Sequence, residues 1–90
     1  MPKAKITKHL TFEHEVLQIL QEECAEVIQE ASKCVRFGTK ENLARLQKEI
    51  GDVLCMLDIM HSHDMISLTQ LDQHIAEKYE KLEQFSNLLK

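Results

Sequence analysis

Helix-breaking residues are almost absent from this 90-residue chain. Its only proline is Pro2, and its only glycines are Gly38 and Gly51. Because proline interrupts a helix and glycine weakens one, most of the chain can form long helices. Aromatic residues, which favour strands, make up only 4% of the chain. The sequence therefore predicts an all-α fold, which we expect to form a single domain over residues 1–90.

Apolar residues recur at three- and four-residue intervals in three stretches, which predicts three long helices. Thr11, Thr39 and Ser67 are the expected N-caps, and Gly38 is the expected end of the first helix. The predicted helices run from Thr11 to Gly38, from Thr39 to about His63, and from Ser67 to Leu89. Gly51 lies inside the second helix, where it costs about 0.5–1 kcal/mol relative to alanine. We therefore expect another group to pack closely against its backbone.

The apolar arcs of the first two helices are broad, and three helices of one protomer cannot cover them fully. We predict a homodimer that completes a four-helix bundle, or a homotetramer built from such dimers. The first ten residues, MPKAKITKHL, are basic and are expected to form a flexible arm.

Charge and cysteine usage narrow the possible partners and the compartment. The net charge is −4, which argues against a nucleic-acid partner because phosphate binding needs a basic face. No apolar run approaches the roughly 20 residues that a membrane helix requires, and no signal-peptide core is visible. Cys24, Cys34 and Cys55 are odd in number and lack C-x-x-C spacing, so we expect buried free thiols. A cytoplasmic protein that does not bind membranes is the resulting expectation.

Carboxylates gather on one side of each of the first two helices. On a wheel of about 100° per residue, the glutamates of the segment QEECAEVIQE share one arc. They are Glu22, Glu23, Glu26 and Glu30. The second helix repeats the pattern in KEIGDVL, where Glu49 and Asp52 are three residues apart and share a face. Both groups border the apolar arc of their helix, at the edge of the expected core.

Two interpretations of these carboxylates stay open on spacing alone. If the helices bring the pairs together, two carboxylates about 4 Å apart repel by about 4 kcal/mol at an effective dielectric of ~20. A divalent cation would remove this repulsion, and oxygen ligands favour Mg²⁺ or Mn²⁺. The alternative is a solvated acidic face, neutralised by ordinary ion pairs with Lys33 or Arg36.

The two acidic motifs, E-E-x-x-E in EECAE and E-x-x-D in EIGD, resemble those of the MazG-type all-α nucleoside triphosphate pyrophosphatases. The resemblance covers about residues 12–62, and the chain is similar to the short single-domain members. It implies a helical bundle that works as a dimer or a dimer of dimers. It also implies Mg²⁺-dependent hydrolysis of a nucleoside triphosphate to the monophosphate and pyrophosphate. The long Trp-rich segment of larger members is missing, so base recognition does not carry over.

The resemblance also implies roles for individual residues. The expected metal ligands are Glu23, Glu26, Glu49 and Asp52, and Glu22 or Glu26 is the expected catalytic base. Cations are needed for the phosphates as well, and the candidates are Lys33, Arg36, Lys78 and Lys81. Two rival hypotheses remain. One is phosphoribosyl-ATP pyrophosphohydrolase, an enzyme of the same superfamily, and the other is a non-catalytic helical interaction or regulatory module.

Overall fold

The computed structural model describes residues 11–90 and contains three α-helices in this part of the chain. They are α1 (Phe12–Phe37), α2 (Thr39–Ser62) and α3 (Leu68–Phe85). Residues 11–90 contain no strand, so the predicted all-α fold is confirmed. The predicted arm of residues 1–10 lies outside the described residues.

Two of the three predicted N-caps are confirmed. The Thr11 hydroxyl accepts a hydrogen bond from the backbone N–H of His14 at 3.2 Å. The Ser67 hydroxyl accepts one from the backbone N–H of Gln70 at 3.3 Å. Each bond satisfies one of the backbone donors that the first turn of a helix leaves without an intrahelical partner.

The third predicted cap is wrong, because Thr39 is already the first residue of α2. Its hydroxyl donates to the carbonyl oxygen of Cys34 at 3.4 Å, in the last turn of α1. The connection between α1 and α2 is therefore the single residue Gly38. Its φ of 122° suits glycine, and a Cβ there would lie 2.5 Å from Glu41 Oε2. The Asn42 amide donates to the Gly38 carbonyl at 2.7 Å and holds the junction.

Helix α3 ends at Phe85, four residues before the predicted Leu89. The cause is Ser86, whose hydroxyl donates to the Leu82 carbonyl at 2.7 Å and accepts from the Leu88 N–H at 3.2 Å. These local bonds give the backbone an alternative to a further helical turn.

The chain divides into two compact units, a first that ends at Ile59 and a second that spans Met60–Lys90. Four apolar residues are buried among those described: Val16, Cys34, Met56 and Met60. Glu23 and Glu26 are also buried. These two glutamates therefore lie within the core and not at its edge. Helix α3 has no buried side chain. No helix within residues 11–90 combines the length and apolarity needed to cross a membrane.

The three cysteines differ in exposure. All are free thiols, as predicted, but only Cys34 is buried, whereas Cys24 is half-buried and Cys55 is exposed. The prediction for Cys55 was wrong because Cys55 lies on a different side of α2 from the buried Met56, which follows it in the sequence. Successive residues lie about 100° apart around a helix, so Cys55 points away from the side that Met56 buries.

Gly51 does not have the close neighbour that the sequence predicted. A Cβ built on this exposed residue of α2 meets no atom within 4 Å. We therefore expect Gly51→Ala to stabilise the protein by about 0.5–1 kcal/mol, since alanine favours a helix interior. Urea unfolding of the two proteins measures this difference. Destabilisation by Gly51→Ala would show instead that a further chain packs against this position in solution.

Candidate metal centre

Four carboxylates from α1 and α2 converge in the first unit. Glu23 and Glu26 lie three residues apart on α1, and Glu49 and Asp52 lie three residues apart on α2, so each pair shares one helix face. Each residue offers one carboxylate oxygen, and these four oxygens all lie within 4.8 Å of one another. We call these four residues the carboxylate cluster. The structure thus brings together all four predicted metal ligands.

The cluster changes from buried to exposed across its width. Glu23 and Glu26 are only 3% and 8% exposed, whereas the side chains of Glu49 and Asp52 are 15% and 38% exposed. Glu49 Oε2 is buried and accepts no hydrogen bond from any residue that the structure describes. Carboxylates withdrawn from water destabilise a fold unless a cation or a donor compensates them. A buried acceptor and an all-oxygen donor set fit a hard divalent cation such as Mg²⁺ or Mn²⁺.

Crowding of these acids raises the pKa of one of them. The pKa of Glu49 lies above its ordinary value of 4.5, mainly because its carboxyl can form a hydrogen bond with that of Glu26 when one of the two is protonated. Such a bond needs a proton on one of the two groups. Partial burial acts in the same direction, and the neighbouring ammonium of Lys48 opposes it. The raised pKa therefore reflects the same crowding of acids that a bound cation would relieve.

We expect this raised pKa to make the stability of the metal-free protein depend on pH. Between pH 4.5 and the raised pKa of Glu49, the folded protein binds a proton that the unfolded chain releases. The free energy of unfolding therefore falls as the pH rises through this window. Urea unfolding in EDTA at several pH values measures the slope. Glu49→Gln should remove this contribution, and identical pH profiles for variant and parent would contradict it.

Lys48 also contacts the carboxylate cluster, and the sequence reasoning missed it. Its ammonium lies 3.1 Å from Asp52 Oδ2 and 3.4 Å from Glu49 Oε1. These hydrogen bonds raise the pKa of Lys48, and the bond to Asp52 is the larger cause. The signal was present in the sequence, since a lysine four residues before an aspartate on a helix commonly pairs with it.

The remaining predicted site residues of the first unit lie outside the carboxylate cluster. Glu22 is half-buried beside Glu23. Lys33 forms an ion pair with Glu30 at 3.1 Å, so on α1 the ordinary neutralisation of the acidic arc does occur. Arg36 is exposed near the end of α1, with its guanidinium 4.9 Å from the centre of the Phe37 ring.

Lys78 and Lys81 are exposed residues of α3 and belong to the second unit. They are three residues apart and so share one face of that helix. Their proposed role in binding phosphate stays a prediction.

Comparison with known proteins supports the interpretation of the acidic motifs. The family model of the MazG nucleotide pyrophosphohydrolase domain matches residues 12–84, which include α3 almost to its end. Searches of curated proteins and of solved structures find no significant match. The matched region covers most of the chain and contains every residue of the carboxylate cluster. The chain therefore belongs to the family of the MazG nucleotide pyrophosphohydrolase domain.

Proposed function

We propose that the protein is a Mg²⁺-dependent pyrophosphohydrolase that cleaves a nucleoside or deoxynucleoside triphosphate to the monophosphate and pyrophosphate. The observation that carries the proposal is the convergence of four carboxylate oxygens within 4.8 Å of one another, two of them on buried glutamates. Membership of the MazG family supports the reaction class. In the reaction, water attacks a phosphorus atom and the bond between the α- and β-phosphoryl groups breaks.

The carboxylate cluster would hold the ion, with Mn²⁺ as a substitute for Mg²⁺. Such an ion supplies positive charge to the phosphate oxygens and lowers the pKa of the attacking water. Glu23 and Glu26 offer ligands from α1, and Glu49 and Asp52 offer ligands from α2. Because these oxygens are crowded before any ion binds, the protein is organised in advance for a cation at this position.

A carboxylate outside the ligand set is needed to accept the proton of the attacking water. Glu26 and Glu22 are the two candidates from the sequence. Glu26 lies in the carboxylate cluster and is one of the four proposed ligands. Glu22 lies outside the cluster and next to Glu23, and it is the base that we propose. Lys33, Arg36, Lys78 and Lys81 are the proposed phosphate contacts.

We further propose that the working form is a homodimer or homotetramer. Large apolar side chains are exposed on α1, α2 and α3, among them Ile28 at 70%, Leu54 at 58% and Ile75 at 54%. Exposed apolar surface on this scale is typical of a face that another chain covers. Light scattering coupled to size-exclusion chromatography tests this, and a mass of 10.5 kDa at micromolar concentration would contradict it.

A substrate panel tests the proposed reaction. We expect Mg²⁺-dependent release of pyrophosphate from at least one ribo- or deoxyribonucleoside triphosphate. A coupled assay measures the pyrophosphate, and chromatography measures the monophosphate. Phosphoribosyl-ATP belongs in the same panel, because faster hydrolysis of that compound would assign the protein to the histidine-biosynthesis enzyme instead. Absence of turnover throughout the panel, together with no effect of Mg²⁺ on stability, would favour a non-catalytic helical module.

A further inference from the structure

Lys48 occupies the solvent side of the carboxylate cluster. Its side chain is 69% exposed, and its ammonium hydrogen-bonds to Asp52 Oδ2 at 3.1 Å and to Glu49 Oε1 at 3.4 Å. An apolar cavity of about 260 Å³ is lined by residues of both α1 and α2, among them Ile28 and Ile50. Ile50 is two residues from Lys48 and therefore about 160° away around the helix. Lys48 therefore lies on the polar side of α2, away from Ile50 and this cavity.

The contacts of Lys48 are with the two more exposed carboxylates of the cluster. In the metal-free protein its ammonium places one positive charge against Glu49 and Asp52, and so reduces the repulsion among the four acids. A divalent ion held by the same residues would lie within a few ångströms of this ammonium and would repel it. Lysine and metal ion therefore compete for the same negative charge.

A polyphosphate removes this competition. Phosphate oxygens that come from solvent reach the exposed Asp52 and Lys48 first, because the two α1 glutamates of the cluster are buried. The lysine side chain has a flexible four-carbon stem, so its ammonium can turn from the carboxylates to a phosphate oxygen. There it would form a charge-assisted hydrogen bond.

We propose that Lys48 is a positioning residue that couples metal binding to phosphate binding, an inference that rests on the proposed function of the carboxylate cluster. Without phosphate, Lys48 competes with the divalent ion and weakens its binding. With phosphate present, Lys48 moves to the phosphate and strengthens the ternary complex. The protein thereby favours a metal ion that arrives with its nucleotide over a free ion.

Mn²⁺ titration followed by electron paramagnetic resonance tests the coupling on the full chain. The Mn²⁺ affinity is measured alone and with methylenediphosphonate, a non-hydrolysable diphosphate without a base. Lys48→Gln should bind Mn²⁺ alone about three- to fivefold more tightly than the parent, the range of a partly exposed ion pair. The enhancement of Mn²⁺ affinity by the diphosphate should fall about tenfold in this variant. Lys48→Arg, which keeps the charge, should retain most of the enhancement.

Lys40→Gln is the matched control, because Lys40 is an exposed lysine of the same helix and the substitution changes the net charge equally. It should alter neither affinity. Equal Mn²⁺ affinities and equal enhancement in Lys48→Gln and the parent would overturn the role of Lys48 while leaving the metal centre intact. Failure of the parent and of Lys48→Gln to bind Mn²⁺, with or without the diphosphate, would overturn the proposed metal centre itself. The same titration therefore distinguishes failure of the proposed role of Lys48 from failure of the proposed metal centre.

Discussion

Glu49→Gln should abolish turnover while leaving the fold intact. The substitution keeps the size of the side chain but replaces the carboxylate of a proposed metal ligand by a neutral amide. A catalytic metal contributes several kcal/mol to transition-state stabilisation, and about 1.4 kcal/mol corresponds to a factor of ten, so we expect kcat to fall by about a thousandfold or more. Steady-state release of pyrophosphate from the best nucleotide of the panel measures the loss, and circular dichroism checks that the helices remain.

The stability of the same variant shows that loss of turnover does not come from loss of folding. The Glu49 carboxyl can hydrogen-bond to that of Glu26 only when one of the two is protonated, whereas an amide can donate without an added proton. We therefore expect Glu49→Gln in EDTA to be as stable as the parent or slightly more stable. Glu77→Gln, the same chemical change at an exposed position of α3, is the control and should keep full activity. Full activity in Glu49→Gln would rule out its role as an essential ligand.

Mg²⁺ should raise the thermal unfolding midpoint of the parent protein strongly. A ligand that binds only the folded state adds about 2.7 kcal/mol of stability at 100 times its Kd. In a domain of this size, 1 kcal/mol shifts the midpoint by about 4–8 °C, so a shift on the order of 10 °C is expected near saturation. Differential scanning calorimetry with and without MgCl₂ measures the shift.

The size of this effect depends on the cluster remaining complete. Asp52→Asn and Glu49→Gln should each lose most of the Mg²⁺-induced shift, because each removes one of the charged oxygen ligands. A chloride salt of a monovalent cation at equal ionic strength separates specific binding from screening of charge. An equal shift in the parent and in both variants would mean that Mg²⁺ acts elsewhere on the acidic surface.

Helical periodicity predicted which acids share a helix face, and the resemblance of the two motifs to the MazG family supplied their interpretation as metal ligands. A three-residue spacing places Glu23 beside Glu26 and Glu49 beside Asp52 on any regular helix. Gly38 then predicts where the first helix ends, and a short connection between two helices makes them antiparallel neighbours. The same wheel placed both pairs at the border of the apolar arc, but it did not predict that Glu23 and Glu26 are buried whereas Asp52 is 38% exposed.

The features that the sequence did not predict depend on side-chain conformation and on competing local bonds. The spacing of Lys48 to Asp52 allows an ion pair, but a lysine at that spacing can equally point to solvent, and its rotamer decides between the two. The early end of α3 depends on one hydroxyl, that of Ser86, which bonds the Leu82 carbonyl. The apolar neighbours of Cys55 suggested burial, but its own position around α2 directs it outward.

The one-residue junction at Gly38 is distant from the carboxylate cluster but affects the positions of its members on α2. Asp52 lies thirteen residues beyond the first residue of α2, which is about 20 Å along the helix axis at 1.5 Å per residue. A change of about 5° in the direction of α2 at the junction would displace a carboxylate at that distance by about 1.7 Å. Metal–oxygen distances tolerate deviations of only about 0.2 Å. Gly38 therefore sets the direction of α2. A small change in that direction would become a large displacement of the α2 carboxylates relative to those of α1.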